Sequence, residues 1–356
     1  MGPRNTREND DLGLVPIDQT AEVQALAKKY PKPKPLTRAE VAFLDAAQAI
    51  RADEDAAEKA FLARPLVFCT LPHTEPKDDK PFVRKTGNMT LVVDAGYDPE
   101  KGKRYGIPYG ILPRLVLYWI VTEAKRKHGD PTEFKRLSPE EQRERRTLNL
   151  GDRLNDFLIA IGLNPYTGGG PRSDRKRLKD QMERLFHAKI TFLDKGEQGT
   201  AQRSSWLDRS VTTAGELWWD VVESEPNQLS LWNSWILLGE VFYADIVKNP
   251  IPLDLRALRA LKRSPLALDL YAWVCYRAWE ILEYKKGAQV ATWAQLAQQL
   301  GSEYAHAKDF KKAARAALQK IQSVYPGLTI TSTEGGFKLM ARRLAVPKRE
   351  PKKLSN

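Results

Sequence analysis

The chain has 356 residues, 42% hydrophobic and 9% aromatic. That is enough apolar material for about two domain cores, so wholesale disorder is excluded. No run of about 18 apolar residues exists, so no membrane span is expected. Lys and Arg outnumber Asp and Glu by 57 to 45. Residues 1–100 carry 14 basic and 17 acidic side chains, so the excess lies wholly in residues 101–356, at net +15. A basic surplus confined to the folded-looking part points to a polyanion partner. The polar, acidic start MGPRNTRENDDLGL lacks the apolar stretch of a signal peptide. Two cysteines, Cys69 and Cys275, make neither a disulfide framework nor a zinc site. The expected compartment is the cytoplasm.

Residues 1–64 read as a flexible tail followed by an Ala-rich helix. Tyr30 to Leu36 is Pro/Lys-rich and extended. Thr37 and Glu40 form a T-x-x-E capping box, and Val41 to Arg64 is the helix, ended by Pro65. Leu66 to Pro72 reads as a strand, and Lys85 to Gly96 as a turn at Gly87-Asn88 and then a strand. From Ile111 the period becomes helical, with Leu112, Leu115, Val116, Trp119 and Ile120 on one face, ending at Lys125–Lys127 and Gly129. Ser138 to Arg146 is charged and exposed. Leu148–Leu150 is a short strand, and a short helix is stopped by Gly162. Leu163 to Pro171 is a turn region. Arg172 to Phe186 is a long helix, and Lys189 to Gly196 a strand entering a hairpin turn. That is the element order of a winged helix-turn-helix.

The order then repeats. Leu229 to Val247 reads as a strand and a short helix bridging two copies, and Asn249 to Pro265 as a connecting helix starting after Pro252. Ser264 to Leu282 is a long apolar helix. A short helix begins near Thr292 and stops at Gly301. Ala305 to Pro326 is a third helix, and Leu328 to Met340 alternates around Glu334-Gly335-Gly336 as a hairpin, the wing. The expected fold is α+β and helix-rich: tandem winged helix-turn-helix domains with a small β addition before the first. The boundaries are 65–248 for the first domain, 249–343 for the second and 344–356 for a basic disordered tail.

The two third helices carry the chemistry. In the second copy, Phe310, Ala314, Ala317, Leu318 and Ile321 share one face. Lys308, Lys312, Arg315 and Gln319 share the opposite face, with Lys311 beside them. A helix apolar on one side and cationic on the other suits a DNA major groove: cations meet phosphates, and Arg and Gln reach base edges. In the first copy, Leu178, Met182 and Leu185 face inward while Arg172, Arg175, Lys176 and Lys179 face outward, with Ser173 near the helix start. Asp174, Asp180 and Glu183 temper that face through intrahelical pairs. Lys338 sits in the second wing, Lys195 and Arg203 flank the first hairpin turn, and Arg342, Arg343 and Lys348 onward form a phosphate-binding tail.

Other chemistries find little support. No P-loop motif is present. His73, His128, His187 and His306 are scattered, with no metal-ligand spacing. Gly168–Gly170 is a turn, and Trp218, Trp219, Trp232 and Trp235 read as core. No catalytic residue, metal site or cofactor is expected. An enzyme acting on nucleic acid would need a carboxylate cluster, and Asp53, Glu54 and Asp55 read as solvated residues of the Ala-rich helix.

The stretches Gly106 to Ala124, Leu148 to Leu163, Gly169 to Phe186, Glu216 to Trp219 and, most specifically, Pro250 to Trp273 (PIPLDLRALRALKRSPLALDLYAW) carry a resemblance covering Pro65 to Arg343. The sequence resembles the plasmid-encoded RepA-type replication initiators of bacteria. The resemblance implies a non-catalytic initiator that binds repeated duplex-DNA sites at a plasmid origin, helps open it and recruits host replication proteins. It also implies a homodimer–monomer equilibrium, with dimers repressing their own gene. The alternative is a winged-helix repressor without initiator activity; tandem repeats as the target favour the first reading, an isolated palindrome the second.

Overall fold

The computed structural model describes residues 35–87, 89–151, 154–164, 166, 174–194, 210–217, 234–300 and 304–347. The chain divides into a unit ending at Val41 and a second from Ala42 onward. In the first unit, the Thr37 amide donates to Glu40 Oε2 at 2.8 Å and the Glu40 amide to Thr37 Oγ1 at 3.3 Å. This is the expected capping box, and it opens α1, Arg38–Ala52. The helix does not run to Arg64. An Asp53 turn, with the Ala56 amide on Asp53 Oδ1 at 3.0 Å, ends it, and Lys59–Leu62 forms strand β1. Pro65 starts a helix instead of ending one: it sits in the first turn of α2, Arg64–Phe68, where its missing N–H is not needed. The strand expected at Leu66 is therefore helical at its start.

Strands β2 (Phe82–Thr86) and β3 (Met89–Asp94) pair antiparallel across the expected turn at Gly87. A short hairpin, β4 (Tyr97–Asp98) and β5 (Lys103–Arg104), follows. The first winged helix opens with α3 (Ile111–His128), then α4 (Pro131–Phe134) and α5 (Pro139–Arg146). Strand β6 (Thr147–Asn149), α6 (Leu154–Ala160) and α7 (Asp174–His187) complete the helical part. Gly162, at φ +81°, stops the turn after α6 as expected, a conformation most side chains resist.

The first wing is not where the sequence reading put it. Strand β7 (Lys189–Asp194) leaves the winged helix and pairs with β3, in the order β2-β3-β7. The register explains the choice: Ile190 meets Val93 and Phe192 meets Leu91, four buried apolar side chains. The wing is β8 (Thr212–Glu216) with β9 (Trp235–Leu238), in a sheet ordered β6-β9-β8. The expected turn residues Lys195 and Arg203 lie outside the described residues, as do Trp218, Trp219 and Trp232.

Helix α8 (Glu240–Val247) leads to β10 (Ile251–Asp254), α9 (Leu255–Leu261) and α10 (Pro265–Glu283). The connecting helix starts after Pro252, as expected, but only at Leu255, because Ile251–Asp254 pairs antiparallel with β1. Asp254 then caps α9, accepting from the Arg256 amide at 3.0 Å. The second winged helix follows the expected order. Strand β11 (Gln289–Thr292) precedes α11 (Trp293–Leu300), whose start Thr292 and Gln295 cap reciprocally. Helix α12 (Ala307–Val324) and the hairpin β12 (Leu328–Ser332) and β13 (Gly336–Ala341) complete it, with sheet order β11-β13-β12. Gly336 permits that crossing, since a Cβ there would lie 2.0 Å from the Ala291 carbonyl oxygen.

Both copies therefore run helix, strand, helix, helix and hairpin, and the last strand takes the centre of each sheet. The fold is α+β, a tandem winged helix with a β addition before the first copy. The copies meet across a charged seam. On α3, Arg114 donates to both oxygens of Asp269 on α10, Nε to Oδ1 and Nη2 to Oδ2, each at 2.8 Å. Its other N–H groups reach the carbonyls of Leu71 (2.6 Å), Pro72 (3.1 Å) and Gly110 (2.6 Å). His73 Nε2 lies 2.8 Å from Asp269 Oδ2. Burial pushes the Asp269 carboxyl up, but Arg114 and His73 outweigh it and hold it at about 2. Among the described residues no helix is long and apolar enough to cross a membrane.

Candidate nucleic-acid interface

Helix α12 divides as its sequence predicts. Phe310, Ala314, Ala317, Leu318 and Ile321 are buried, and Lys308, Lys312, Arg315 and Gln319 are exposed along the other side. These exposed residues do not stand alike. The Arg315 guanidinium donates from Nε to Ser332 Oγ at 3.1 Å and from Nη2 to the Thr333 carbonyl at 3.3 Å. It also lies over the Trp293 ring, 5.4 Å from the centroid, a cation–π position. One turn earlier, Lys311 Nζ donates to the Glu334 carbonyl at 3.0 Å. Arg315 and Lys311 thus bracket the wing turn to the third helix. Lys308, Lys312 and the Gln319 amide make no such contact within the described residues and face solvent.

The bracket was not legible in the sequence reading. Local spacing gives Trp293, at the start of α11, no particular role. It is buried, packs its ring 5.4 Å from that of Phe337, and gives Arg315 its platform. Lys338, on the central wing strand, is exposed and sits in one rung with Val290 and Thr331. Val290 is 70% exposed, so the outer face of the wing is partly apolar.

On the first copy, Leu178, Met182 and Leu185 of α7 are buried as expected. Arg175, Lys176 and Lys179 are exposed, while Arg172 and Ser173 lie outside the described residues. Arg175 Nη2 donates to Asn155 Oδ1 of α6 at 2.6 Å, tying the two helices of the turn together. Asp174, Glu183 and Asp180 each form an intrahelical pair, with Arg177 at 3.6 Å, Lys179 at 4.0 Å and Arg184 at 3.0 Å; of these three cations Lys179 alone belongs to the expected outer face. The cationic character is thus confined to the N-terminal half of α7.

Lys262 was not foreseen at this site. It follows α9, and its Nζ donates to the Gly162 carbonyl at the end of α6. Burial lowers its pKa, Asp174 at the start of α7 opposes that, and Arg263 and Arg259 add to the lowering. The connector between the copies therefore places positive charge beside the N-terminus of the first third helix. A tie between Lys262 and Gly162, a hundred residues earlier, leaves no trace in local spacing.

The carboxylates Glu54 and Asp55 are exposed, as expected, but not on the helix. They lie after α1 and pair with Arg343, at 2.5 and 2.6 Å. Arg343, expected as a phosphate-binding residue of the tail, is occupied by them. Lys348 onward lies outside the described residues. Among the described residues no three His, Cys, Asp or Glu side chains stand close enough to hold a metal ion. Cys69 and Cys275 are buried free thiols whose burial pushes their pKa up.

Two winged helices in one chain, each offering a partly cationic third helix, define a tandem winged-helix protein. The family described as plasmid encoded RepA protein matches residues 107–295. The chain belongs to that family, and the match runs from just before α3 to the first turn of α11. A solved structure of domains 2 and 3 of RctB is similar over 78% of this chain and 98% of its own, at 11% identity and a TM-score of 0.46. No curated protein matches the sequence.

Proposed function

We propose that the protein is a plasmid replication initiator without catalytic activity of its own. It binds repeated duplex-DNA sites at its origin with α7 and α12, helps open the duplex and recruits host replication proteins. Lys308, Lys312 and Lys338 meet phosphates from the second copy, and Arg175, Lys176 and Lys179 from the first. Exchange between monomer and homodimer sets whether it initiates or represses its own gene, in the bacterial cytoplasm beside its plasmid. The observation that carries this reading is the pair of third helices, each apolar inside and cationic outside, within a chain of the RepA family. Two linked heads bind far more tightly than either alone when the target spacing fits.

The test is capture of sheared source DNA by the full chain at two salt concentrations, followed by sequencing. Enrichment of tandem repeats beside the protein's own gene is the expected result. A lone promoter palindrome would shift the reading to a repressor. Retention that is unselective and lost at higher salt would reduce it to phosphate binding.

A further inference from the structure

The seam between the copies carries more than packing needs. Arg114 and Asp269 are almost wholly buried, with side chains 4% and 7% exposed. All five guanidinium N–H groups find acceptors: two on Asp269 and three on the carbonyls of Leu71, Pro72 and Gly110. Close-packed apolar faces hold their register through shape alone, whereas a bidentate guanidinium–carboxylate pair adds a directional constraint on one geometry.

The pair also breaks the internal repeat. Aligning Leu117-Tyr118 with Leu270-Tyr271 sets Arg114 opposite Ala267 and Asp269 opposite Val116. Each copy thus contributes one charge at a position that is apolar in the other. Two more ties cross the same seam. Strand β1 pairs with β10 while its Phe61 amide donates to Thr122 Oγ1 of α3 at 2.9 Å, and Thr70 Oγ1 donates to the Leu300 carbonyl at 3.3 Å.

We propose that Arg114, Asp269 and His73 are positioning residues that lock α7 and α12 at one separation and phase, so that the protein reads bipartite duplex sites of a single spacing. This rests on the duplex-binding reading above. One inserted base pair moves the second half-site by roughly 3.4 Å and 34°, given about 34–36 Å and 10–10.5 base pairs per turn. A locked pair cannot follow that movement and falls back to one-headed binding.

The experiment is selection from a randomised duplex library spanning more than two helical turns, with the full-length protein. Wild type is compared with Arg114→Met/Asp269→Leu, which replaces the charged pair by apolar residues of similar volume. Wild type is expected to select two half-sites at one spacing, and to lose about 100-fold or more in affinity when one or two base pairs are inserted. The double variant is expected to select the same half-sites at several spacings. A single retained spacing in the variant overturns the proposal, and so does a wild type that tolerates insertions. The insertion series on wild type needs no variant, so it decides the matter even if the variant misfolds. A wild type that selects no sequence overturns the duplex-reading conclusion itself, a result distinct from tolerance of insertions.

Discussion

Arg114→Met should be among the most destabilising single substitutions in the chain. The change leaves the Asp269 carboxylate buried with His73 alone. It also takes a donor from the main-chain carbonyls of Leu71, Pro72 and Gly110, of which Pro72 keeps the Gly110 amide at 3.1 Å. Breaking a buried pair from one side costs about 3–5 kcal/mol, against a typical total of about 5–15 kcal/mol. Asp269→Leu should cost a similar amount, because it leaves the guanidinium buried without a counter-charge. The double variant removes both charges and keeps only the penalty of any carbonyl left with no other donor, about 1–3 kcal/mol each. Its cost should therefore fall well below the sum of the two singles. The assay is urea unfolding followed by far-UV circular dichroism at neutral pH, with the slopes compared before midpoints are converted to free energies. A loss under about 1 kcal/mol for Arg114→Met, or a double variant that equals the sum, would refute the reasoning: the pair would then be uncoupled.

The same carboxylate makes stability depend on pH. Its folded pKa, about 2, lies below the ordinary carboxylate value of 3.8. The pair thus stabilises the fold fully above about pH 4, and this contribution of about 2 kcal/mol is lost as pH falls through about 2. Melting temperatures from pH 5 to pH 2 should fall more steeply for wild type than for Arg114→Met/Asp269→Leu. Lys312→Ala should weaken binding to specific and scrambled duplexes alike, and reduce the slope of log affinity against log salt by about 0.9. Gly336→Ala should open the second wing, because the new Cβ would meet the Ala291 carbonyl oxygen at 2.0 Å; limited proteolysis in the Ser332–Gly335 turn reads that out.

Local periodicity made the helices and the second winged helix legible. The apolar faces of α7 and α12, the capping box at Thr37 and the stop at Gly162 all follow from contacts within a few residues. Pairings between distant segments did not. Strand β7 reads as half of a wing until β3, some hundred residues earlier, is known to offer Leu91 and Val93 to its Phe192 and Ile190. Leu253 and Asp254 read as the start of a helix until β1 claims them. The site behaves in the same way. Helix faces identified the exposed cations, but which of them are free depends on what the wing brings back to the helix.

That dependence narrows base reading on the second head. Sequence alone gives the role to Arg315 and Gln319 alike, since a guanidinium on the outer face suits a guanine edge and an amide an adenine edge. In the structure Arg315 holds Ser332 and Thr333 and lies over Trp293, with Lys311 holding Glu334 beside it. A side chain engaged in this way would have to release the wing to reach a base. Gln319, on the same face one turn further on, has an amide that is free among the described residues and presents a donor and an acceptor together, the pairing an adenine edge takes. Gln319→Ala should therefore relax preference at one base position by about 1–3 kcal/mol of discrimination, with affinity for scrambled DNA little changed. Arg315→Lys keeps the charge but loses the bracket, and should weaken binding on every sequence while leaving preference intact. The measurement is affinity across duplexes carrying each base at each position of the selected site. Relaxed preference at one position for Arg315→Lys, with none for Gln319→Ala, would return the reading role to Arg315 and show that the wing lets go when DNA is bound.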